Sequence, residues 1–129
     1  MNTDVLHQTM TQTQAGELTF PDVVRRLTEA GVESYFVDLA ARKETFYLSD
    51  GSTHTEPLTL PVDPIAEEFS TAAVLTAIRG AQANTIRYPE FVKRSAAAGV
   101  IAYWAHLTGK KVIYLGRKGD MHIEEFPRQ

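Results

Sequence analysis

Two short patterns in the sequence combine side chains that can do chemistry. His54 and Glu56 stand two residues apart, and His122 and Glu124 repeat that spacing. Both pairs fall in strand-like runs, where alternate side chains share a face, so each histidine lies beside its glutamate. Imidazole with carboxylate suits zinc, manganese or iron, and the same pair can act as general acid and base. A structural role, in which the pairs stabilise sheet faces, is the alternative interpretation.

Aromatic residues extend the second pattern into a predicted ligand-binding face. A three-residue hairpin loop at 117–119 would place Tyr114 opposite His122. If the preceding loop at 108–110 also has three residues, Trp104 and His106 join them on one face. The predicted ligand-binding residues are therefore Trp104, His106, Tyr114, His122 and Glu124, with Asp38, His54 and Glu56 on the equivalent face of the first half. Core packing is the alternative for Trp104.

The opposite face of the same strands is predicted to belong to the core. It carries the apolar residues Ile113, Leu115, Met121 and Ile123. On the polar-aromatic face of the first half, Phe36 and Phe46 accompany the histidine and the carboxylates. A pseudo-twofold axis between the halves could bring the two histidine–glutamate pairs close together.

An internal duplication organises the elements that position these residues. Residues 6–58 align with residues 74–126 at a constant shift of 68 without a gap, and 14 of the 53 aligned pairs are identical. The matches include Phe20-Pro21 with Tyr88-Pro89, Ala30-Gly31-Val32 with Ala98-Gly99-Val100, and His54 with His122. The chain therefore contains two repeats, at about 4–58 and 72–126, joined by an extended proline-rich linker at 57–64.

Each repeat has the pattern helix–helix–strand–strand–strand. Pro21 and Pro89 stand where a second helix begins, and Gly31 and Gly99 stand where its left-handed C-terminal cap is expected. The predicted strands are 33–39, 43–48, 52–58, 101–107, 111–116 and 120–126. A lone three-stranded sheet has two open edges and a small core. We therefore predict one α+β domain over residues 1–129, in which the repeats pack about a pseudo-twofold axis.

Charge is distributed unevenly along the chain. Residues 1–70 carry a net charge of −8 and residues 71–129 a net charge of +5, so the whole chain has a net charge of −3. The basic pairs Arg25, Arg26 and Lys93, Arg94 occupy matched positions on the second helices and could bind nucleic acid. Basic residues near a helix C-terminus are favourable without any ligand, and the net charge argues against nucleic acid as the partner.

Composition excludes several classes of site. The chain has no cysteine, which excludes disulfides, a thiol nucleophile and thiolate metal sites. Gly116-Arg117-Lys118-Gly119 lacks the spacing of a phosphate-binding loop and is typical of a hairpin turn. Neither a signal peptide nor an apolar stretch long enough to span a bilayer is present, so we expect a cytoplasmic protein with no membrane contact.

The duplicated pattern resembles the YdfO-like family of small bacterial and prophage proteins over nearly the whole chain, and most specifically in its last forty residues. The resemblance rests on Tyr88-Pro89-Glu90-Phe91, Ala98-Gly99-Val100, Lys111-Val112-Ile113-Tyr114 and Gly119-Asp120-Met121-His122-Ile123-Glu124. It implies a compact α+β domain of unknown function, and some family members carry the label "phage envelope protein". The resemblance brings no catalytic residues.

Taken together, the sequence favours a non-enzymatic binding or protein-interaction module. A homodimer or a protein partner fits this hypothesis, and no cofactor and no catalytic residue is predicted. One alternative is a metal- or small-ligand-binding protein, which includes an enzyme, that uses His54, Glu56, His122 and Glu124. A nucleic-acid-binding accessory protein is the other alternative.

Overall fold

A computed structural model describes residues 3–127, and within them four helices and six strands follow one another. The helices are α1 (Thr3–Gln14), α2 (Phe20–Glu29), α3 (Thr71–Gln82) and α4 (Tyr88–Ala97). The strands are β1 (Val32–Asp38), β2 (Lys43–Leu48), β3 (Thr53–Pro57), β4 (Val100–His106), β5 (Lys111–Gly116) and β6 (Met121–Glu125). This order confirms the α+β class and the duplicated helix–helix–β–β–β pattern.

The six strands form one antiparallel sheet in the order β3-β2-β1-β4-β5-β6. Its central pair joins the two repeats, because β1 comes from the first and β4 from the second. Phe36 pairs with Trp104 across these strands, and the same two residues are equivalent under the shift of 68 between the repeats. The pseudo-twofold axis therefore passes between Phe36 and Trp104.

The core lies between the helices and one face of the sheet. Leu6 of α1, Leu27 of α2 and Val92 of α4 are fully buried against strand residues such as Val37 and Phe46. Each amphipathic helix packs its apolar stripe against the sheet. Because the helices form a single layer, they cover only one face of the sheet.

The opposite face, which we call the open face, contains the residues that were predicted as core. Met121 is 57% exposed and Ile123 is 51% exposed, while Ile113 and Leu115 are half-buried. The prediction that these four residues form the core is wrong. Alternation along the strands identified correctly which residues share a face, but it could not show which face the helices cover.

The local sequence explains where the second helices begin and end. At α2, the Thr19 side chain accepts a hydrogen bond from the Asp22 amide and the Asp22 side chain accepts one from the Thr19 amide, which is a capping box. Gly31 and Gly99 follow the helices at φ of 88° and 92°, as expected for left-handed caps.

The connections β1–β2 and β4–β5 are one residue longer than predicted. Asp38 pairs with Lys43 and His106 pairs with Lys111, so each connection has four residues. A shift of one residue transfers side chains to the opposite face. Tyr103, rather than Trp104, is therefore the residue that pairs with Tyr114.

The segment before α3 packs closely against the second repeat. The Ala66 amide donates to the Ala96 carbonyl at 3.0 Å, and the Ser70 amide donates to the Ala98 carbonyl at 2.8 Å. A Cβ at Gly99 would lie 2.3 Å from the Glu68 carbonyl oxygen. In contrast, a Cβ at Gly31 would meet no heavy atom of the described chain within 4 Å.

Gly99→Ala and Gly31→Ala therefore form a matched pair of variants. Both place alanine at a left-handed φ, which costs about 1–2 kcal/mol, but only Gly99→Ala also forces a clash with backbone. We expect Gly99→Ala to lower the free energy of unfolding, measured by urea denaturation, at least twice as much as Gly31→Ala. Equal losses would contradict the close packing at Gly99.

Candidate functional site

The two histidine–glutamate pairs lie on the helix-covered face but at opposite edges of the sheet. His54 and Glu56 are on β3, whereas His122 and Glu124 are on β6, and four strands separate these edges. At about 4.8 Å per strand, the pairs are roughly 24 Å apart. The two pairs therefore do not converge in one site. The predicted pairing of Tyr114 with His122 is confirmed.

Each glutamate of these pairs is bound by its histidine and by a side chain from a helix. Glu56 lies 2.5 Å from His54 Nε2 and 2.7 Å from His7 Nδ1 of α1. Burial alone would raise the pKa of Glu56, but the hydrogen bonds from His7 and His54 outweigh it and lower that pKa. The pair thus connects α1 to the edge strand β3.

The second pair repeats this arrangement, with an arginine in place of the helix histidine. Arg79 Nη1 of α3 donates to Glu124 Oε2 at 2.7 Å, and His122 Nε2 lies 3.1 Å from Glu124 Oε1. Burial acts to raise the pKa of Glu124, and these two partners lower it overall. Over residues 3–127, no group of three or more histidine, aspartate or glutamate side chains is arranged to hold a metal ion.

Trp104, His106 and Asp38 lie on the open face and not with the histidine–glutamate pairs. The expectation that Trp104 and His106 share a face with Tyr114 and His122 is wrong, because the four-residue connection shifts the register. Trp104 Nε1 donates to Ser34 Oγ at 3.1 Å, and its ring stacks on His106 at 5.1 Å. Partial burial lowers the pKa of His106, and the charge of Lys111 adds to that effect.

A cavity between the helices and the sheet is a site that the sequence did not indicate. Its volume is about 100 Å³. Because a cavity needs about 10–15 Å³ of this volume to hold one water, there is room for several waters or a small ligand. Apolar side chains dominate the lining, among them Met10, Leu18, Val23, Ile78, Phe91 and Val112. The lining also includes the exposed residues Asn84 and Arg87, so the cavity reaches the surface.

Glu44 is the unusual residue of this cavity. Its exposed fraction is 1%, and neither carboxyl oxygen has a hydrogen-bond partner among the described residues. A buried polar group without a partner typically costs about 1–3 kcal/mol. Burial, together with the charge of Glu56, raises the pKa of Glu44 to about 8, and the nearby Tyr88 hydroxyl acts in the opposite direction. At neutral pH, Glu44 therefore holds a proton in the unliganded protein.

Tyrosines line the cavity with Glu44. Tyr35, Tyr103 and Tyr114 are each less than 7% exposed, and the Tyr88 hydroxyl lies 2.7 Å from that of Tyr103. Burial raises the pKa of all four phenols, and the charge of Glu44 contributes for Tyr35, Tyr88 and Tyr103. The four hydroxyls consequently remain protonated at neutral pH. One hydroxyl of the Tyr88–Tyr103 pair donates to the other, so the remaining hydroxyls are the ones that can donate to a ligand.

Glu44 breaks the symmetry of the duplication. Its equivalent in the second repeat is Val112, which is 5% exposed and packs in the core. Tyr35 and Tyr103, in contrast, are equivalent and both buried. A comparison of the repeats by burial would have found Glu44, since a glutamate aligned with a buried valine is out of place. The search for matching residues in both repeats favoured His54 and His122 instead.

Three of the four basic residues on the second helices contact a side chain of their own helix or of α1. Arg25 lies 3.4 Å from Asp22, Arg94 Nε donates to Glu90 at 3.0 Å, and Arg26 donates to Gln12. In the glycine-flanked loop, Arg117 donates to the Ile65 carbonyl and Lys118 to Glu68. These contacts fit the interpretation of solvated helix and hairpin surfaces. The nucleic-acid hypothesis that named Arg25, Arg26, Lys93 and Arg94 stays a prediction.

Comparison with known proteins connects the chain to families without an assigned activity. A family described as "Protein of unknown function (DUF1398)" matches residues 1–57, which is the first repeat. "Uncharacterized protein Rv2012" of Mycobacterium tuberculosis and "Uncharacterized protein Mb2035" of Mycobacterium bovis are each 28% identical over 109 residues. These matches cover 83% of this chain and 66% of the relatives, so about a third of each relative lies outside the match.

The helices have no membrane-spanning character. In the part of the chain that the structure describes, none of them is both long and apolar enough to cross a bilayer.

The raised pKa of Glu44 predicts a specific pH dependence of stability. Between its ordinary pKa of 4.5 and the folded value of about 8, the unfolded chain loses a proton that the folded protein keeps. Stability therefore falls as pH rises through this window and levels off above it. We expect Glu44→Val, which copies Val112, to remove this loss, so that its advantage over the wild type grows by up to about 1.4 kcal/mol per pH unit.

Urea denaturation at several values between pH 5 and pH 8 measures this difference. Glu29→Gln, which changes an exposed glutamate of α2, is the matched control and should give a constant offset. Parallel curves for Glu44→Val and wild type would show that the folded protein does not hold the proton.

Proposed function

We propose that this protein is a non-enzymatic binding protein that takes a small organic molecule into the cavity between its helices and its sheet. The observation that carries the proposal is Glu44, a buried carboxyl group without a hydrogen-bond partner among the described residues. Buried carboxyl groups are rare unless paired, and an apolar pocket with a few polar groups is the usual form of a small-ligand site. A ligand with a complementary donor would supply the missing partner.

The arrangement favours binding over catalysis. A catalytic acid or base is normally held in orientation by a hydrogen-bonded neighbour. Such a neighbour is missing for Glu44 within residues 3–127. The tyrosine hydroxyls around it stay protonated and are therefore suited to donate hydrogen bonds to a ligand.

The proposal also includes the identity that the sequence suggests. The resemblance to the YdfO-like proteins supports a small bacterial or prophage-type protein. The match to a family of unknown function and to uncharacterised mycobacterial proteins is compatible with this identity.

A variant that fills the cavity tests the binding function. Ala81 lines the cavity from α3, and Ala81→Leu would occupy part of its space. Ala72→Leu adds the same side chain at an exposed position of the same helix and is the matched control. We expect benzene-sized fragments to raise the melting temperature of the wild type and of Ala72→Leu with increasing concentration. Ala81→Leu should lose this response, and a panel without any binder would contradict the proposal.

The open face favours a second candidate function, self-association. Phe36, Trp104, Ile113 and Ile123 form one continuous row across β1, β4, β5 and β6. Ala102, Leu115 and Met121 form the next row. With about 4.8 Å between strands and about 3.4 Å per residue, the two rows and their margins cover roughly 300 Å². The largest apolar patch on a typical monomer is about 300–600 Å² and is often functional.

A second copy of this chain is the partner that fits this patch. Two apolar sheet faces can pack about 10 Å apart, and a twofold interface must be self-complementary. Lys111 and Glu125 are cross-strand neighbours beside the apolar rows, so a twofold partner can pair each lysine with the other copy's glutamate. Because roughly 300 Å² per copy is below the about 800 Å² of a standard interface, we expect a concentration-dependent dimer.

Substitution at equivalent positions of the two repeats tests this dimer. Ile123 and Thr55 are equivalent and both exposed, but only Ile123 lies in the apolar rows. In sedimentation velocity over increasing concentration, we expect the wild type and Thr55→Glu to associate and Ile123→Glu to remain monomeric. A monomeric wild type at millimolar concentration, or an Ile123→Glu variant that still associates, would exclude this interface.

A further inference from the structure

We propose that the cavity selects small organic cations, such as an arylammonium or alkylammonium ion, and binds the ammonium group at Glu44. This inference rests on the proposed binding function and specifies the charge of its ligand. Three independent features of the cavity support it: the unpartnered carboxyl group, the aromatic rings around it and the charge of the lining.

The carboxyl group of Glu44 has no hydrogen bond in the described part of the structure, although the Tyr88 hydroxyl lies close to it. Both oxygens are buried and lack hydrogen bonds within residues 3–127. An ionised carboxylate only accepts hydrogen bonds, and a buried one is stabilised by a paired cation. An ammonium group brings up to three donors and one positive charge to the place where both are missing.

Aromatic rings enclose the space beside this carboxyl group. Tyr103 lies 6.5 Å from Tyr35, 5.8 Å from Tyr114 and 6.0 Å from Phe91, measured between ring centroids. All of these rings line the cavity, and Tyr88 stacks on Phe91 at 6.2 Å. A cation within about 6 Å of a ring centroid is attracted by the ring face. Aromatic rings around a carboxylate therefore suit an organic cation with an apolar body.

The charges of the lining disfavour an anion. Glu44, Glu124 and Glu125 line the cavity, whereas Arg87 is its basic lining residue among those described. Glu124 is already paired with Arg79 and His122, but Glu44 remains without compensation. At pH values where Glu44 is ionised, a carboxylate ligand would face a second negative charge in the cavity, and like charges there are costly.

Binding of a cation is linked to the proton of Glu44. The titratable groups that face Glu44 are Glu56 of β3, Tyr35 of β1, Tyr103 of β4 and Tyr88 of α4. Glu56 is itself hydrogen-bonded to His7 of α1 and to His54. The tyrosines keep their protons, and Glu56 keeps its negative charge, since its hydrogen bonds lower its pKa. An ammonium ion therefore displaces the proton of Glu44, and its affinity should rise by up to tenfold per pH unit until about pH 8.

Three probes that share one ring separate charge from shape: benzylammonium, benzyl alcohol and benzoate. Isothermal titration calorimetry of the full chain at pH 6, 7 and 8 measures their affinities. We expect benzylammonium to bind at least tenfold more tightly than benzyl alcohol at pH 8, with benzoate the weakest. The affinity of benzylammonium should rise with pH, and that of benzyl alcohol should not change.

Two substitutions at Glu44 assign the effect to this residue. Glu44→Gln keeps the shape of the side chain without its charge, and Glu44→Val introduces the residue found at the equivalent position of the second repeat. Both variants should lose the preference for benzylammonium and still bind benzyl alcohol. Circular dichroism confirms that they are folded. Equal affinity of the wild type for benzylammonium and benzyl alcohol would overturn the cation inference and leave the proposed binding function standing. If none of the three probes binds, the binding function fails as well.

Discussion

The pairing of β1 with β4 is the contact on which the rest of the structure depends. It converts two three-stranded sheets, each with two open edges, into one six-stranded sheet with a single helix-covered face. The pseudo-twofold axis at Phe36 and Trp104 fixes the positions of all other strands. Because both helix pairs then lie on the same side, they share one core, and the cavity lies in that core between the two repeats.

The duplication made most of the fold predictable. Fixed spacing between equivalent glycines, prolines and hairpin loops gave the strand bounds to within one residue. The register across β4 and β5 was not predictable, because it depends on whether the connection has three or four residues. Arg42 and Lys110 adopt the left-handed φ of 60° and 57° that closes these longer connections, and no glycine marks either position. The one-residue difference in the length of the β4–β5 connection decides whether Trp104 or Tyr103 faces the helices.

The candidate site was harder to predict for a different reason. The chemistry that both repeats share lies in the histidine–glutamate pairs, which connect edge strands to helices. Glu44 appears in one repeat alone, and nothing in its neighbours along the chain indicates a cavity. The equivalent residue Val112 is buried, which shows that this is a core position. The tertiary structure adds that the Glu44 carboxyl group has no hydrogen-bond partner among the described residues. Departures from internal symmetry can thus be as informative as the symmetry itself.

The central pairing also has a consequence for the order of folding. All other strand pairs join neighbours in the sequence through short hairpins, whereas Phe36 and Trp104 come together across an intervening segment of 67 residues that contains two helices. Closure of a long loop is entropically costly and slows folding. The two hairpin sheets can therefore form early and independently, while the contact that creates the shared core forms late. Until that step, each half exposes the apolar face that the finished protein buries, and this interval is when the chain is most prone to aggregate.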